Sequence, residues 1–543
     1  MIKTTIISYL LVFSAFVSFA GTSPKREVRA VWLTTIGGLD WPHNYAQSER
    51  SKHKQQEELC SLLDKYQKAG INTILLQTRI RATMIYPSVY EPWDGCLSGK
   101  PGTSPDYDAL AFAIEQCHNR GMELHAWVVT IPVGKWNGTG CARLRAKYPR
   151  LIKKIGEDGY MDPENSATAD YLADICEEIT RNYDIDGIHL DYIRYPETWK
   201  AKVDKQQGRK YITNIVRKIN LKVKSLKPWV KMSCSPIGKA DDLSRYWSHG
   251  WNAYSTVCQD AQGWLKEGLM DQLYPMMYFR DNNFYPFAID WAEQSYGKTI
   301  VPGLGIYFLS PKEGKWQLGD VTREMYVTRQ YGMGHAYFRG KFFTDNTKGI
   351  YDFAANDFDK NLSLVPAMTW EHNEEPEMPT GMTKQGNTLS WNKTTQDNIY
   401  YNVYASNEYP VDTEDSRNLV AIRLNRNRIS IDNQNRYFAI TAMDRYGNES
   451  KPLQEVGDKA TDIPQGLLTC NGRTLQMPEL SEGCETDMII FVTLQGNVVK
   501  AKQYKRYVDV SDLQNGLYIV KSLNSKGISH RIGTFMVKRN VEL

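Results

Sequence analysis

A (β/α)8 barrel followed by two small all-β sandwich domains is the fold class the sequence predicts. Three observations lead there. Short apolar runs alternate with amphipathic stretches eight times between Val28 and about Phe358. Strands alternating with helices imply a parallel sheet, and eight such units imply closure into a barrel. Beyond an acidic, proline-containing stretch, Glu371-His372-Asn373-Glu374-Glu375-Pro376, the pattern changes to short alternating runs separated by turn residues. An open, doubly wound sheet is the competing reading, and it is weakened because no GxGxxG follows a strand.

The elements follow in order. Val28 to Leu33 reads as the first strand, and Glu57 to Ala69 as a helix with Leu59, Leu62, Leu63, Tyr66 and Ala69 at helical spacing, ended by Gly70. Ile71 to Leu76 is a second strand, Leu110 to His118 a helix, and Met122 to Val129 a third strand. Tyr171 to Tyr183 is a helix and Gly187 to Asp191 a fourth strand. The remaining strands are Val230 to Ser235, Gln272 to Met277, Thr299 to Leu304 and Gly334 to Phe338. The two longest connections, Arg79 to Asp106 and Thr130 to Asn165, leave the carboxyl ends of strands, the face on which such barrels build their sites. Long loops there favour an extended cleft.

A chain of 543 residues accommodates about three domains. The expected division is 1–20 as a signal peptide, 27–360 as the barrel, 374–456 as one sandwich and 463–543 as another. Lys3, the apolar run Ile6 to Phe16 and the small residues around Ser18-Phe19-Ala20 carry the signal-peptide reading. It places the protein outside the cytoplasm, in the periplasm, on the outer surface or secreted, with no membrane span. A net charge of +4 gives no electrostatic case for a nucleic-acid partner. Aromatic residues make up 12%, with 14 Trp and 33 Tyr, which serves both packing and the flat faces of sugar rings. The nine Cys form no CxxC pairs, so neither a metal nor another cofactor is expected. Cys60, Cys117 and Cys176 fall on apolar helix faces as core residues; Cys470 and Cys484 could pair within the last domain or stay free, and the sequence leaves that open. The sequence leaves the oligomeric state open.

The chemistry concentrates in Asp184-Ile185-Asp186-Gly187-Ile188-His189-Leu190-Asp191-Tyr192-Ile193-Arg194. Alternation sends Ile188 and Leu190 one way and His189 and Asp191 the other, with Asp191 at the mouth of the barrel. Asp186, at the far end, reads as a structural turn residue. Cleavage of a glycosidic bond needs one carboxylate to attack or stabilise an oxocarbenium-like centre and a second to protonate the leaving oxygen. Asp191 suits the first task. For the second, Asp281 after the sixth strand ranks first, against an ion pair with Arg280 or Arg194. Asp260 is an alternative that can equally cap a helix, and Glu91 another that can equally be a solvated surface residue.

An ordered set of motifs carries a family resemblance. Arg29-Ala30-Val31-Trp32-Leu33-Thr34-Thr35, Leu39-Asp40-Trp41-Pro42, Tyr86-Pro87-Ser88-Val89-Tyr90-Glu91-Pro92-Trp93, Glu123-Leu124-His125-Ala126-Trp127, Met161-Asp162-Pro163, Asp186-Gly187-Ile188-His189-Leu190-Asp191-Tyr192 and Gln272-Leu273-Tyr274-Pro275-Met276-Met277-Tyr278 run in order across the barrel. Together they resemble the glycosyl-hydrolase-like family ten barrels. The resemblance implies a (β/α)8 fold with a glycosidase-type cleft, acting on peptidoglycan glycan strands or another polysaccharide of the bacterial envelope or environment. Two departures stand out. Members often carry a second Asp after the first, where this chain has Tyr192. The catalytic Glu of chitinase-type barrels is replaced here by Ile193, so an acetamido-assisted mechanism is not supported. Asp191 instead resembles the fourth-strand nucleophile of α-galactosidase-like barrels. Leu389-Ser390-Trp391, Tyr401-Asn402-Val403-Tyr404 and Tyr437 to Asp444 resemble fibronectin type III strands. Asn515-Gly516-Leu517-Tyr518 is similar to C-terminal sorting modules of secreted Bacteroidota proteins, beside the plainer reading of a β-sandwich cap.

Supporting residues are expected around Asp191. Gln77 and Arg79 end the second strand and suit hydroxyl or carboxylate groups. His125 and Trp127 alternate on the third strand, the histidine equally readable as a core residue. His189 is expected as a partner of Asp191, and Arg194 as its orienting cation or a partner for an anionic sugar. Trp32, Tyr278 and Tyr307 are the expected sugar platforms. Two functional readings follow: a glycoside hydrolase with paired carboxylates, and a catalytically silent glycan-binding or scaffold protein.

Overall fold

Eight parallel strands pair in the order of the chain. They are β1 (Arg29–Leu33), β2 (Thr73–Ile80), β3 (Glu123–Val129), β4 (Gly187–Asp191), β5 (Lys231–Cys234), β6 in two pieces (Gln272–Leu273 and Met276–Met277), β7 in two pieces (Thr299–Ile300 and Gly303–Leu304) and β8 (His335–Tyr337). The computed structural model describes residues 23–247, 250–431, 435–454, 468–471, 473–478, 488–493, 497–523 and 529–538. The expected signal peptide and Cys484 therefore lie outside the described residues.

Pro275 and Pro302 interrupt β6 and β7, because proline brings no N–H to a ladder. The register is the same on both sides of the break: Gln272 faces Thr299 and Met276 faces Gly303. β7 then pairs with β8 through Gly303 and Ala336, and β8 pairs back onto β1 through Arg29 and His335. The pairing path thus returns to its first strand, and the sheet is curled on itself.

Strand alternation sorts the core into two layers. Ala30, Trp32, Leu75, Trp127, Val129, Tyr274, Val301 and Ala336 form one cluster inside the sheet. Val31, Leu33, Ile74, Leu76, Leu124, Ala126, Ile188 and Leu190 point outward into a larger cluster shared with the helices. The helix Glu49–Lys68 starts two turns before the sequence predicts, because Ser48 and Ser51 form a reciprocal cap. The helix Ser166–Asn182 buries Leu172, Ile175, Cys176 and Ile179 at the expected spacing. Cys117 and Cys176 are buried as expected, while Cys60 is only partly buried.

The connection after β3 holds more than a loop. Pro132–Lys135, Ile152–Ile155 and Asp158–Met161 form a three-stranded antiparallel sheet, and Thr139–Lys147 forms a helix between them. These strands have only four residues and no sustained alternation, so periodicity gives no sign of them. Among the described residues no helix is long and apolar enough to cross a membrane.

The chain divides into two compact units. Among the described residues, the first takes in those up to Tyr404 with Thr413–Ser430 and Ile440–Leu453, and the second Ala405–Asp412, Ile431–Ala439 and those from Gln454 onward. Much of the segment expected as a separate sandwich is thus counted with the barrel. Two three-stranded antiparallel sheets lie in this segment, one of Thr380–Gln385, Thr388–Asn392 and Arg428–Ser430, the other of Leu419–Leu424, Tyr400–Ser406 and Tyr437–Met443. In the second unit, Leu475, Ile489, Phe491, Val508, Tyr518, Val520 and Phe535 make an all-β core.

Within the first unit, Arg423 reaches the amino-terminal end of the barrel. Its guanidinium donates to Asp186 at 2.6 Å and to Glu123 at 2.8 Å, and all three side chains are buried. Lys231 also donates to Glu123, and His118 lies 2.8 Å from Asp186. Burial pushes the Asp186 carboxyl up, but Arg423, His118 and Arg445 outweigh it and hold the group well below the usual carboxylate range. Burial is outweighed likewise at Glu123, where Lys231 and Arg423 hold the pKa at about 2. Asp186 is structural, as expected, yet it acts as the hub of a buried ion network and not as a turn residue.

Removing one partner of such a network leaves buried charge uncompensated. Arg423→Ala is expected to cost about 3–5 kcal/mol at pH 7, read by urea unfolding. Both carboxyls titrate below their unfolded values, so the stability they contribute is present above about pH 4 and lost on acidification, Glu123's share as the pH falls through about 2. The gap between wild type and variant should narrow over that window. A loss under about 1 kcal/mol at pH 7, in the range of an exposed pair, would show that the network is not stabilising.

Candidate active site

Asp191 ends β4 at the carboxyl-terminal mouth, and only 6% of its surface is exposed. Three donors converge on its carboxylate. Trp127 Nε1 donates to Oδ2 at 3.1 Å, Ser235 Oγ to Oδ1 at 2.9 Å, and the backbone N–H of Tyr192 to Oδ1 at 2.7 Å. The two side-chain donors arise from strand alternation: Trp127 lies on the inner face of β3, and Ser235 follows β5 in step with Ser233. Tyr192 sits at φ 52°, a region that costs a non-glycine residue about 1–3 kcal/mol and here turns its N–H onto the neighbouring carboxylate. Thr130 completes the support, its N–H and Oγ both donating to the Asp191 carbonyl.

Two effects oppose each other on this group. Burial raises the Asp191 pKa; the three donors and the Arg194 charge lower it, and burial wins. A buried carboxylate that accepts three hydrogen bonds is suited to hold negative charge against a cationic centre.

Aromatic rings flank the mouth. Tyr278 lies 5.7 Å from Tyr307 and 5.1 Å from Phe338, centroid to centroid, and Tyr307 also packs on Phe342. Burial and the nearby Asp191 charge hold the Tyr278 hydroxyl well above its ordinary pKa, so it remains a donor. On another side, Arg194 lies 4.6 Å over the Tyr192 ring and 5.9 Å from Trp251.

Several residues expected in the cleft are placed elsewhere. Trp32 is 1% exposed and packs against Tyr274 and Phe338 inside the barrel, so it is a floor and not a platform. His189 does not meet Asp191. Residues two apart on a strand point the same way but stand about 6.6 Å apart, and His189 instead accepts from Trp32 Nε1 at 3.3 Å and pairs with Ser233 at 3.0 Å. Burial holds its imidazole well below the usual value, hence neutral. His125 is fully buried beside Glu123, its ring lying against Gly187, where a Cβ would be 2.6 Å away. Gln77 accepts from the N–H groups of Thr35 and Ile36, fixing the loop after β1.

Arg79 and Glu91 are not free either. A register shift in β2 between Gln77 and Arg79 swings Arg79 onto Glu91, which it meets with two hydrogen bonds of 2.9 and 2.6 Å. The same guanidinium donates to the carbonyls of Val129 and Thr130. Glu91, expected as a solvated residue or an acid, is therefore a buried counter-ion. Asp260 caps the helix Ala261–Lys266 through Gly263 N–H at 3.1 Å. Arg194 pairs with Glu197 at 2.7 Å.

Asp281 is exposed in the short turn Asp281–Asn283, and its charge falls on Glu324 and Tyr285. Glu324 is fully buried on the helix Leu318–Gln330, with no hydrogen-bond partner for either oxygen among the described residues. Burial first, then Asp320 and Asp281, push its carboxyl well above the ordinary range.

Glu27, His335 and Asp359 bring ligand atoms within 4.8 Å of one another, the geometry of a metal site. Arg29 and Arg329 already bridge the two carboxylates at 2.7–3.2 Å, so the cluster is neutralised by protein cations and lies at the amino-terminal ends of β1 and β8. Ser235, Thr130 and the Tyr192 N–H were missed from the sequence. The alternation rule that picks out Asp191 would have found Ser235 at the end of β5.

A parallel curled sheet with a buried, triply bonded carboxylate and aromatic walls at its carboxyl-terminal mouth defines a glycoside-hydrolase-like protein. The chain belongs to the Glycosyl hydrolase-like 10 family, whose model matches residues 27–211 and 199–308. It is 29% identical over 484 residues to glycosyl hydrolase YngK of Bacillus subtilis (strain 168), covering 80% of this chain and 93% of that one. It is also 29% identical over 290 residues to glycosyl hydrolase DigH of Escherichia coli (strain K12), covering 47% of this chain and 66% of that protein. The fold is similar, with a TM-score of 0.45 and 14% identity, to the PgaB (BpsB) glycoside hydrolase domain from Bordetella bronchiseptica, over 61% of this chain and 98% of that one.

The raised Glu324 carboxyl yields a pH prediction. Its folded pKa exceeds its unfolded value, so the stability tied to its neutral form is present in acid and lost as the pH rises. Glu324→Gln should melt like wild type near pH 4 and about 1–3 °C higher at pH 8. Identical melting at both values would show that the carboxyl has no such penalty.

Proposed function

We propose that the protein is an exported glycoside hydrolase that cleaves glycosidic bonds in a polysaccharide of the bacterial envelope or environment, with peptidoglycan glycan strands as the leading substrate. The observation that carries this reading is Asp191: a mouth-facing carboxylate, buried and held by Trp127, Ser235 and the Tyr192 N–H. In the proposed mechanism Asp191 attacks or stabilises the oxocarbenium-like carbon, and its three donors disperse the charge before and after. Tyr278 and Tyr307 supply ring faces for the sugar. Asp281, after β6, is proposed as proton donor. The fibronectin type III-like and sorting-like segments are proposed to space or anchor the barrel.

A second reading rests on the state of the other carboxylates. Glu91 is spent on Arg79, Asp260 on a helix cap, and Asp281 is exposed among other acids. A barrel with a single positioned carboxylate would bind glycans without cleaving them.

The test incubates the protein with purified peptidoglycan glycan strands and a polysaccharide panel. Release of products that falls by about 10³-fold or more in Asp191→Asn supports the hydrolase; equal release by the variant removes Asp191 from the chemistry. Binding without release by either form selects the second reading. Asp281→Asn should lose activity on natural glycans but retain it on aryl glycosides, whose leaving groups need no proton. Equal loss on both substrates excludes Asp281 as the acid.

The donors predict a pH effect. Ser235 lowers the Asp191 pKa, so in Ser235→Ala the acidic limb of the activity profile should move upward. An unmoved limb, with only a lower plateau, would mean that the limb belongs to another group.

A further inference from the structure

The long loops after β2 and β3 line an open pocket of about 430 Å³ on the mouth side of the barrel. Its lining includes Ser88, Tyr90, Glu91, Trp93, Arg143 and Lys147. The connection to Asp191 is short. Glu91 is held by Arg79, Arg79 donates to the Thr130 carbonyl, and the Thr130 N–H donates to the Asp191 carbonyl.

Both walls are fixed. On one side, Glu178 accepts from Ser88 Oγ at 2.6 Å and from the Val89 N–H at 2.8 Å, tying down the loop that carries Tyr90 and Trp93. On the other, Gly140 seats the helix Thr139–Lys147 on the turn at Arg81 and Ala82. A Cβ at Gly140 would fall 2.2 Å from the Arg81 carbonyl oxygen and 2.4 Å from that of Ala82. Gly140, Arg143 and Lys147 then share one helix face, since residues three, four and seven apart align. The Arg143 guanidinium lies over Gly102, where a Cβ would be 3.0 Å from one of its nitrogens.

The charge balance of this pocket is one-sided. Its one carboxylate, Glu91, is neutralised by Arg79. Among the described residues, neither Arg143 nor Lys147 pairs with an acid, although ion pairs are common elsewhere on this surface. Two exposed cations without counter-ions, Lys147 also lying 5.3 Å over the Tyr148 ring, thus line the same pocket as an indole and a phenol.

We propose that this pocket is a subsite for a carboxylate-bearing sugar unit, with Arg143 and Lys147 receiving the carboxylate and Trp93 or Tyr90 the face of the ring. A guanidinium matches a carboxylate in plane and spacing, and an ammonium adds a point charge. The proposal rests on the glycan-directed reading above and names the class of glycan: an acidic one, its acid borne by a uronate or by a lactyl ether on an amino sugar.

The experiment measures binding, so its outcome is separate from that of the cleavage assay. Full-length protein carrying Asp191→Asn is titrated calorimetrically at low salt with oligogalacturonate and with oligosaccharides of alternating N-acetylglucosamine and N-acetylmuramic acid, each beside its carboxyl-reduced counterpart. At least one acidic probe should bind about tenfold more tightly than its reduced form, and the preference should shrink as salt rises. The additional changes Arg143→Gln and Lys147→Gln should abolish that preference and leave binding of the reduced form and the melting temperature unchanged. The probe that shows the preference identifies the source of the acid. Equal binding of acidic and reduced forms, a preference that survives the double change, or no binding of either acidic probe would each overturn the proposal. A protein that shows the preference but cleaves nothing would leave the subsite standing and remove only the hydrolase reading.

Discussion

Arg423 enters the amino-terminal end of the barrel from a strand some 300 residues removed from Glu123, and meets Glu123 and Asp186 there. Much of the first unit depends on this contact. The acids sit side by side at the amino-terminal end of the β3–β4 ladder: Glu123 opens β3 and Asp186 directly precedes β4. Unpaired, two buried carboxylates this close would repel each other and pay a large desolvation cost. Arg423, Lys231 and Arg445 supply the opposite charge, and His118 lies 2.8 Å from Asp186. Arg423 and Arg445 come from the segment beyond the barrel, which explains why that segment and the barrel form one compact unit.

The ends of the barrel have accordingly been given different tasks. At the amino-terminal end the charges are matched and buried, both in this network and in the cluster of Glu27, Arg29, Arg329, His335 and Asp359. At the mouth, Asp191 is held by neutral donors, and Arg194, whose charge also acts on it, is committed to Glu197. A carboxylate held by dipoles keeps its charge available to a developing cation, where one locked to an arginine would not. This division is the usual one for such barrels, in which the amino-terminal face serves stability and the carboxyl-terminal face serves chemistry.

The pair Arg79–Glu91 links the two loops that build the mouth. Arg79 leaves β2 through a local register shift, fixes the loop carrying Glu91, and bonds the carbonyls at the end of β3 that support β4. Neither residue is then free to act on substrate. Their contribution is to hold the pocket wall and the backbone beneath Asp191 in place, which is the support a precise site requires.

Much of this was legible in the chain. Period-two alternation within short apolar runs located the strands, and the same alternation placed Asp191 inward at the mouth and Ile188 and Leu190 outward. Turn-sized breaks and capping residues located the helices to within a turn or two. These are local properties, set by sterics and by the side on which each residue emerges, so sequence determines them. Partnership is not local. That Arg79 would choose Glu91, that His189 would bond Trp32 and Ser233 and not Asp191, and that Arg423 would complete the barrel floor all depended on distances between segments far apart in the chain. Those distances exist only once the sheet has curled and the loops have packed, because a hydrogen bond or ion pair forms within about 3 Å and no spacing along the sequence encodes that. The sequence by itself determined the barrel, its mouth and the position of Asp191; tertiary structure decided which charges were spent on holding the fold and which were left for a ligand.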